Sequence, residues 1–199
     1  MKTRYFVGLL ALLVLTAYAP QLLGLASIHW DAVGVFAANL KLASDELHAG
    51  RLPLWTPFIG AGFPFFADPQ VALWYPINFL IAFFTSAGPW WVSVQLALHT
   101  FLAGLGMYLL GRRLFRDPRA AAFIGLVYPF TGFFAGYASH VGQQNIAAIL
   151  PWAILALDRF LERANAKRAV LLGVVGALLL LIGHFQQTLY AAVFLLAWL

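Results

Sequence analysis

The sequence predicts an all-α integral membrane protein, a polytopic helical bundle with a large outer loop between its first two spans that contains an amphipathic helix. Hydrophobic residues make up 63% of the 199 residues and charged residues only 10%, whereas a soluble domain is about half apolar and a quarter charged. Several apolar runs approach the roughly 20 residues that a helix needs to cross a bilayer. The charged residues lie in short clusters between these runs, so lipid is the expected solvent of the apolar side chains.

Five complete spans and the start of a sixth are predicted within one transmembrane domain, residues 1–199. The first span, 5–26, is too long and too apolar for a cleaved signal peptide. The later segments are 89–110, 120–138, 146–161, 169–183 and the incomplete 188–199. Because the chain ends inside that last apolar run, we expect it to be the N-terminal fragment of a longer protein, whose missing C-terminal spans are its partners in the bundle.

The basic residues predict the orientation. Ten of the twelve Lys and Arg residues lie at the N-terminus and in the clusters 111–119 and 159–168, while Lys41 and Arg51 lie elsewhere. Basic residues concentrate in cytoplasmic loops, so we expect a multi-pass protein of the plasma (inner) membrane with a cytoplasmic N-terminus. The net charge of +5 then reflects topology, and no nucleic-acid partner is expected.

The outer segment, 27–88, has a mixed composition. Residues 31–49 carry apolar side chains on one helical face, which predicts an amphipathic helix on the outer membrane surface. Prolines and glycines exclude a regular helix over 51–64, and the aromatic side chains around them suit the membrane interface. The apolar run 75–84 is too short to span and is predicted to be re-entrant or interfacial.

Several ordered motifs occur along the chain. They are Gly50-Arg51-Leu52-Pro53-Leu54-Trp55-Thr56-Pro57, Gly60-Ala61-Gly62-Phe63-Pro64, Ala67-Asp68-Pro69-Gln70, Tyr75-Pro76, His140 with Asn145 before Pro151-Trp152, and Gly183-His184-Phe185-Gln186-Gln187-Thr188-Leu189-Tyr190. Together these motifs resemble the YfhO family of bacterial multi-span membrane proteins. The family more often has Asn where Thr56 stands and Pro where Phe185 stands. It is similar to the C-type (GT-C) glycosyltransferases, which take sugars from polyprenyl-phosphate carriers at the outer membrane face. The resemblance covers nearly the whole chain and implies such an activity in cell-envelope glycan modification.

The resemblance also implies a catalytic residue. In those enzymes the catalytic acidic residue usually lies shortly after the first span, which is the place of Asp31 here. As a base, Asp31 would take a proton from an acceptor hydroxyl while the sugar leaves its phosphate carrier. Alternatively it would help to hold a divalent metal ion against that phosphate. From the residues alone, Asp31 is equally well interpreted as the N-cap of the helix that follows.

Polar residues from three separate outer segments form the predicted substrate-binding set. They are Arg51, Asp68, His140, Asn145, His184 and Gln186. Polar groups at membrane depth are costly unless they are paired or functional, so we expect them to bind a carrier phosphate or sugar hydroxyls. The alternatives are a turn residue for Asp68, a headgroup anchor for Arg51, and helix capping or bundle hydrogen bonds for the others. The histidine spacings match no recognised metal site.

Two other functions stay open beside a lipid-linked-sugar-dependent transferase. A transporter or lipid flippase would place polar or broken-helix features near the bilayer midplane, where Gln95, His99 and Tyr128-Pro129 come close. The first two are better interpreted as interhelical hydrogen-bonding groups. A non-catalytic envelope-assembly protein would only hold a lipid-linked intermediate. The expected partners are membrane lipids and a polyprenyl-phosphate-linked sugar.

Overall fold

The computed structural model of the chain describes residues 3–199, and the regular elements in this range are all helical. The α-helices are α1 (Thr3–Ala17), α2 (Ala19–Leu22), α3 (Ala38–His48), α4 (Pro76–Phe84), α5 (Pro89–Leu114), α6 (Pro118–Val127), α7 (Gly132–Gly136), α8 (Val141–Glu162), α9 (Ala166–Leu181) and α10 (Phe185–Ala197). A π-helical segment, Ala32–Ala37, leads into α3. The all-α prediction is confirmed for these residues.

Helix α5 lies at the centre of the bundle. It packs against α1, α6 and α8, and α8 packs in turn against α9 and α10. Helices α5 and α6 approach closely at Gly104 and Gly125, where an added Cβ on either glycine would lie within 3.0 Å of the carbonyl oxygen of the other. Small residues allow helix backbones to approach in this way, which gains van der Waals contact that larger side chains would prevent.

Two helical segments of the described residues are long and apolar enough to cross a membrane, Pro89–Leu114 and Pro118–Gly136. The first extends the predicted span 89–110 by one turn. The second corresponds to the predicted 120–138, but the 3-10 turn Tyr128–Phe130 interrupts it, because Pro129 lacks the N–H that would continue the α-helical bonding. Two shorter apolar helices, α1 and α10, lie at the predicted first and sixth spans.

The helix boundaries differ from the predicted span edges where polar residues adjoin a span. Helix α8 begins at Val141 rather than at 146, so Gln143, Gln144 and Asn145 lie in its first two turns and not in a loop. A hydropathy pattern alone places such polar residues in a loop between two spans. A bundle accepts them in a helix because neighbouring helices supply hydrogen-bond partners, as they do for Gln144.

The predicted amphipathic helix is present, but its buried face packs on the protein itself. Leu40 and Ala43 of α3 join a cluster with Phe65 from the outer loop and with Ile81 and Ala82 of α4. The hydroxyl of Ser44 donates a hydrogen bond to the carbonyl oxygen of Thr85, 2.6 Å away. Helix α4 covers the short apolar run predicted at 75–84, so these two outer elements form one packed unit.

Candidate functional site

A small cavity of about 140 Å³ gathers polar side chains from four separate segments. Asp31 precedes the π-helical segment, Gln70 lies in the outer loop, His140 precedes α8, and His184 precedes α10. We call it the Asp31 cavity. The Nδ1 atom of His140 lies 3.3 Å from Oδ2 of Asp31. Three of the residues that the sequence predicted for the site thus line the same cavity.

The Asp31 carboxylate is open to solvent and is not used as a helix cap. Its side chain is 51% exposed and that of His140 is 43% exposed, so water screens the contact between them. Asp31 has helical backbone angles, φ −59° and ψ −29°, and its side chain makes no capping hydrogen bond. N-cap residues normally have an extended conformation and bond the helix start. The capping interpretation of Asp31 is therefore wrong for its side chain.

His184 is oriented by hydrogen bonds on both ring nitrogens. Its Nδ1 accepts the backbone N–H of Gln187 at 3.4 Å, so in the neutral ring the proton is on Nε2. That Nε2 lies 3.2 Å from the side-chain amide of Gln143. The Gln143 amide oxygen is buried and otherwise lacks a partner, so turning it toward Nε2–H satisfies both groups. Gly142 lies against His184, since an added Cβ on Gly142 would be 3.3 Å from the His184 Cβ and 3.6 Å from the ring atom Cδ2.

A backbone contact at Gly183 brings the outer loop against the turn between α9 and α10. Gly183 has a φ of +78°, and an added Cβ would lie 1.7 Å from the carbonyl oxygen of Pro69. A side chain at this position is therefore excluded by both conformation and space. Gln70 and His184, each one residue further along its segment, line the Asp31 cavity. The contact thus positions two walls of the cavity.

Asp68 and Arg51 lie outside the Asp31 cavity. The Oδ1 atom of Asp68 accepts the backbone N–H of Gln70 at 2.8 Å, as the turn interpretation predicts. The Arg51 guanidinium donates two hydrogen bonds of 2.8 Å to Glu46. Those bonds lower the pKa of the Glu46 carboxyl below its ordinary value. Arg51 is thereby paired within the outer segment.

Asn145 and Gln186 also lie away from the cavity lining. Asn145 is buried on α8, and its Oδ1 has no hydrogen-bond partner among the described residues. The Gln186 amide donates to the hydroxyl of Tyr190 at 2.7 Å, on an exposed part of α10. The structure therefore groups Asp31, His140 and His184, and it does not group these two residues with them.

Two hydrogen-bond networks in the bundle connect residues outside the cavity lining. The Gln144 amide donates to the hydroxyls of Tyr18 and Thr100, at 3.1 and 3.0 Å, which links the end of α1 to α5 and α8. Sequence reasoning missed Tyr18 and Thr100, because one hydroxyl in an apolar run gives no pattern. In the second network the Tyr75 hydroxyl lies 2.7 Å from Nε2 of His99. The bonding role predicted for His99 is confirmed.

Among residues 3–199 there is no group of three or more His, Asp or Glu side chains arranged to hold a metal ion. Asp31 and His140 come together as a pair, and His184 is oriented by Gln143 and Gln187. One carboxylate and one imidazole supply fewer protein ligands than the three of a typical catalytic metal site, so these residues do not fit the divalent ion considered for Asp31.

Comparison of the chain with protein-family models, with curated proteins and with solved structures found no match. Fold and site together define a protein whose described residues are all-helical in their regular elements, with two candidate membrane-spanning segments and a polar cavity. The cavity is built from the segment between α2 and α5 and from the starts of α8 and α10. The resemblance to the YfhO family stays a prediction drawn from the motifs.

Proposed function

We propose that this chain is a multi-pass protein of the bacterial inner membrane. The support comes from large apolar side chains that are more than half exposed along α1, α9 and α10. They include Leu12, Leu15, Val170, Val174, Leu180, Leu189, Val193 and Leu196. Soluble monomers rarely expose contiguous apolar patches beyond a few hundred Å². Hydrocarbon solvates such faces without cost, which accounts for helices that are apolar on several sides.

The proposed orientation places the Asp31 cavity on the non-cytoplasmic side. Arg113 at the end of α5 pairs with Asp158 and Glu162 of α8, and Arg168 of α9 also contacts Glu162 at 3.3 Å. His140 precedes the opposite end of α8, whose 22 residues make it about 33 Å long. The basic end and the cavity end are thus separated by about the thickness of a hydrocarbon core.

Single cysteines test this orientation, because the chain contains no cysteine of its own. In intact cells, a membrane-impermeant maleimide is expected to label a Gly60→Cys variant in the outer loop. A Phe115→Cys variant is expected to react only after the membrane is opened. Labelling of position 115 in intact cells, together with protection of position 60, would overturn the proposed topology.

For the activity, we propose transfer of a sugar from a polyprenyl-phosphate carrier to an acceptor hydroxyl at the outer face. The observation that carries it is the half-exposed Asp31 carboxylate, free of capping bonds, in a cavity shared with His140 and His184. The acceptor oxygen bonds to the anomeric carbon while the bond from that carbon to the phosphate oxygen breaks. The carrier phosphate leaves with the bonding electrons, and Asp31 takes the proton of the acceptor hydroxyl.

The test uses the full-length protein in proteoliposomes with radiolabelled polyprenyl-phosphate hexoses and an envelope extract as acceptor. Asp31→Asn is expected to abolish transfer without changing membrane insertion or melting temperature. Asp45→Asn is the matched control, because that carboxylate pairs with Lys41 on the exposed side of α3, and it should transfer at the wild-type rate. Wild-type transfer by Asp31→Asn would refute the role of Asp31. Envelope glycans with unchanged masses after deletion of the gene would refute the activity.

One observation favours a transporter or lipid flippase as the second candidate. The apolar segment Pro118–Gly136 is interrupted at Tyr128–Phe130, and broken helices often carry the binding site of transporters. Here the Tyr128 hydroxyl donates to the carbonyl oxygen of Ala147 at 2.9 Å, so its polar group is already used within the bundle. Movement of a fluorescent lipid across protein-containing vesicles, equal in wild type and Asp31→Asn, would support the second candidate.

A further inference from the structure

A second cavity, of about 250 Å³, adjoins the Asp31 cavity. Its lining includes Asn39, Thr56, Phe58, Phe63 and Asp68. Val35 and Gln70 line both cavities. We call the second one the Asp68 cavity. Each cavity alone is smaller than the roughly 300–1,000 Å³ of small-molecule sites, and the two together reach that range. A ligand that occupies both cavities would therefore have a site of ordinary size.

The polar groups of the Asp68 cavity suit hydroxyl groups. Oδ1 of Asp68 accepts the Gln70 N–H, which leaves Oδ2 as an acceptor for a ligand. The half-buried amide of Asn39 has no hydrogen bond to other described side chains or backbone, and an amide both donates and accepts. A hydroxyl also donates and accepts, so a ring with several hydroxyls can be bonded from both sides.

The aromatic groups and the charge of the cavity narrow the ligand class. Phe58 is 82% exposed and Phe63 is partly buried, and aromatic faces pack well against the apolar face of a ring. No Lys, Arg or His lines the cavity, and Arg51 is bonded to Glu46. The Asp31 cavity differs, because His140 and His184 line it and imidazole N–H groups can donate to a phosphate. A phosphate would meet the Asp68 carboxylate without a cation, which is unfavourable. An uncharged polyhydroxylated ring meets no such penalty.

We propose that the Asp68 cavity is the subsite for an uncharged hexose ring of the acceptor, an inference that rests on the proposed glycosyl transfer. The ring lies between the phenylalanines and the polar groups of the cavity. Val35 and Gln70 line both cavities, and in this arrangement a hydroxyl of the bound ring extends past them toward the carboxylate that takes its proton. The carrier phosphate stays on the side of His140 and His184.

Binding is measured without turnover, by equilibrium dialysis of radiolabelled methyl hexosides against full-length protein in phospholipid nanodiscs free of maltoside detergent. Asn39→Leu and Phe58→Ala are each expected to weaken binding about five- to tenfold, the loss expected for one hydrogen bond or one stacking contact. Phe84→Ala is the matched control for the second variant, because it removes another exposed phenylalanine (71% exposed) outside the cavity. Asp45→Asn should bind the hexosides like wild type, because that carboxylate pairs with Lys41 on the exposed side of α3 and lines neither cavity.

The acceptor subsite and the proposed glycosyl transfer can be refuted independently of each other. Absence of hexoside binding, equal affinity in all variants, or tighter binding of inorganic phosphate than of hexosides overturns the acceptor subsite, even where Asp31→Asn abolishes transfer. Hexoside binding that is weakened by Asn39→Leu and Phe58→Ala supports the subsite, even where no carrier-linked sugar is transferred. In that case the proposed transfer fails and the sugar-binding site stands.

Discussion

Replacement of Gly183 with alanine is expected to separate the outer loop from the turn between α9 and α10. The added Cβ would lie 1.7 Å from the carbonyl oxygen of Pro69 and 2.5 Å from its carbonyl carbon. Ordinary contacts begin at 3.4 Å, so the two backbone segments must move apart by about 1.7 Å. The added Cβ would overlap with backbone atoms of Pro69, so no flexible side chain can move to relieve the overlap.

Two costs add at this position. A left-handed backbone costs roughly 1–2 kcal/mol for a residue with a Cβ, and Gly183 has a φ of +78°. Overpacking adds roughly 1–3 kcal/mol. The expected loss is therefore about 2–5 kcal/mol, or at least about 4 °C in melting temperature for a chain of this size. The Asp31 cavity should open as well, because Gln70 and His184 are carried by the two segments that separate.

Two control variants divide the effect into its parts. Gly50 has a φ of +73° with open space around it, so Gly50→Ala measures the backbone strain alone. Gly176 lies in α9 with nothing within 4 Å of an added Cβ, so Gly176→Ala should leave stability equal or raise it by up to about 1 kcal/mol. Melting temperatures of all three variants are compared with wild type in the same nanodiscs.

A cross-linking measurement reports the separation directly. A Gln70→Cys, His184→Cys pair is the only pair of thiols in the chain, and a short bifunctional thiol reagent should join it efficiently. Adding Gly183→Ala should reduce the yield, while adding Gly176→Ala should not. A Gly183→Ala protein that melts with Gly50→Ala and cross-links like wild type would refute the close contact with Pro69.

The remaining predictions concern stability. Tyr75→Phe removes the partner of the buried His99 ring and should cost roughly 1–3 kcal/mol in thermal unfolding. Gly125→Ala should cost a similar amount, roughly 1–3 kcal/mol, because its Cβ would meet the neighbouring helices at 2.7–3.0 Å. Hydrogen bonds from Arg51 lower the pKa of Glu46, so this pair stabilises the fold above the ordinary glutamate pKa of about 4.3 and the contribution is lost as the pH falls through the lowered value. In wild type the melting temperature should therefore decrease at acidic pH, and Glu46→Gln should make this decrease smaller.

Matched variants check these three expectations. Gly132→Ala adds a methyl group where nothing lies within 4 Å and should not lower stability, so equal losses for it and Gly125→Ala would contradict close helix packing. The double variant Tyr75→Phe, His99→Leu should lose less stability than the sum of the losses of the two single variants. Purely additive losses would show that the two side chains do not interact. An unchanged decrease of the melting temperature at acidic pH in Glu46→Gln would show that the ion pair does not form in solution.

Much of the secondary structure follows from local properties of the sequence. Helix α5 matches a continuous apolar run, and α3 matches an apolar face repeated at the helical period. Both signals arise among residues a few positions apart, so they survive whatever the rest of the chain does. The positions of helix ends depend more on residues that are distant in the sequence. The start of α8 at Val141 depends on partners from α1 and α5 that accept its polar side chains.

The candidate site was also predicted in part from the sequence, while its hydrogen-bond partners depend on tertiary contacts. The sequence indicated that polar groups cluster after the first span and in two later loops between spans, and it singled out Asp31, His140 and His184. It contained no signal for Gln143 as the partner of His184, since an amide before an apolar run has many possible partners. It also placed Asp68 and Arg51 in the binding set, whereas their first partners are a turn N–H and Glu46.

The sequence by itself determined the helical class, the apolar segments and the basic clusters, because each is a property of composition or of a short repeat. Only the tertiary structure decided that residues more than a hundred positions apart, such as Asp31 and His140, approach within 3.3 Å. That approach depends on how the segment Ala32–Ala37 and α8 both pack against α5, and a backbone contact at Gly183 brings Gln70 and His184 to the same cavity. Such contacts are set by the mutual fit of distant segments, and no local pattern encodes the fit.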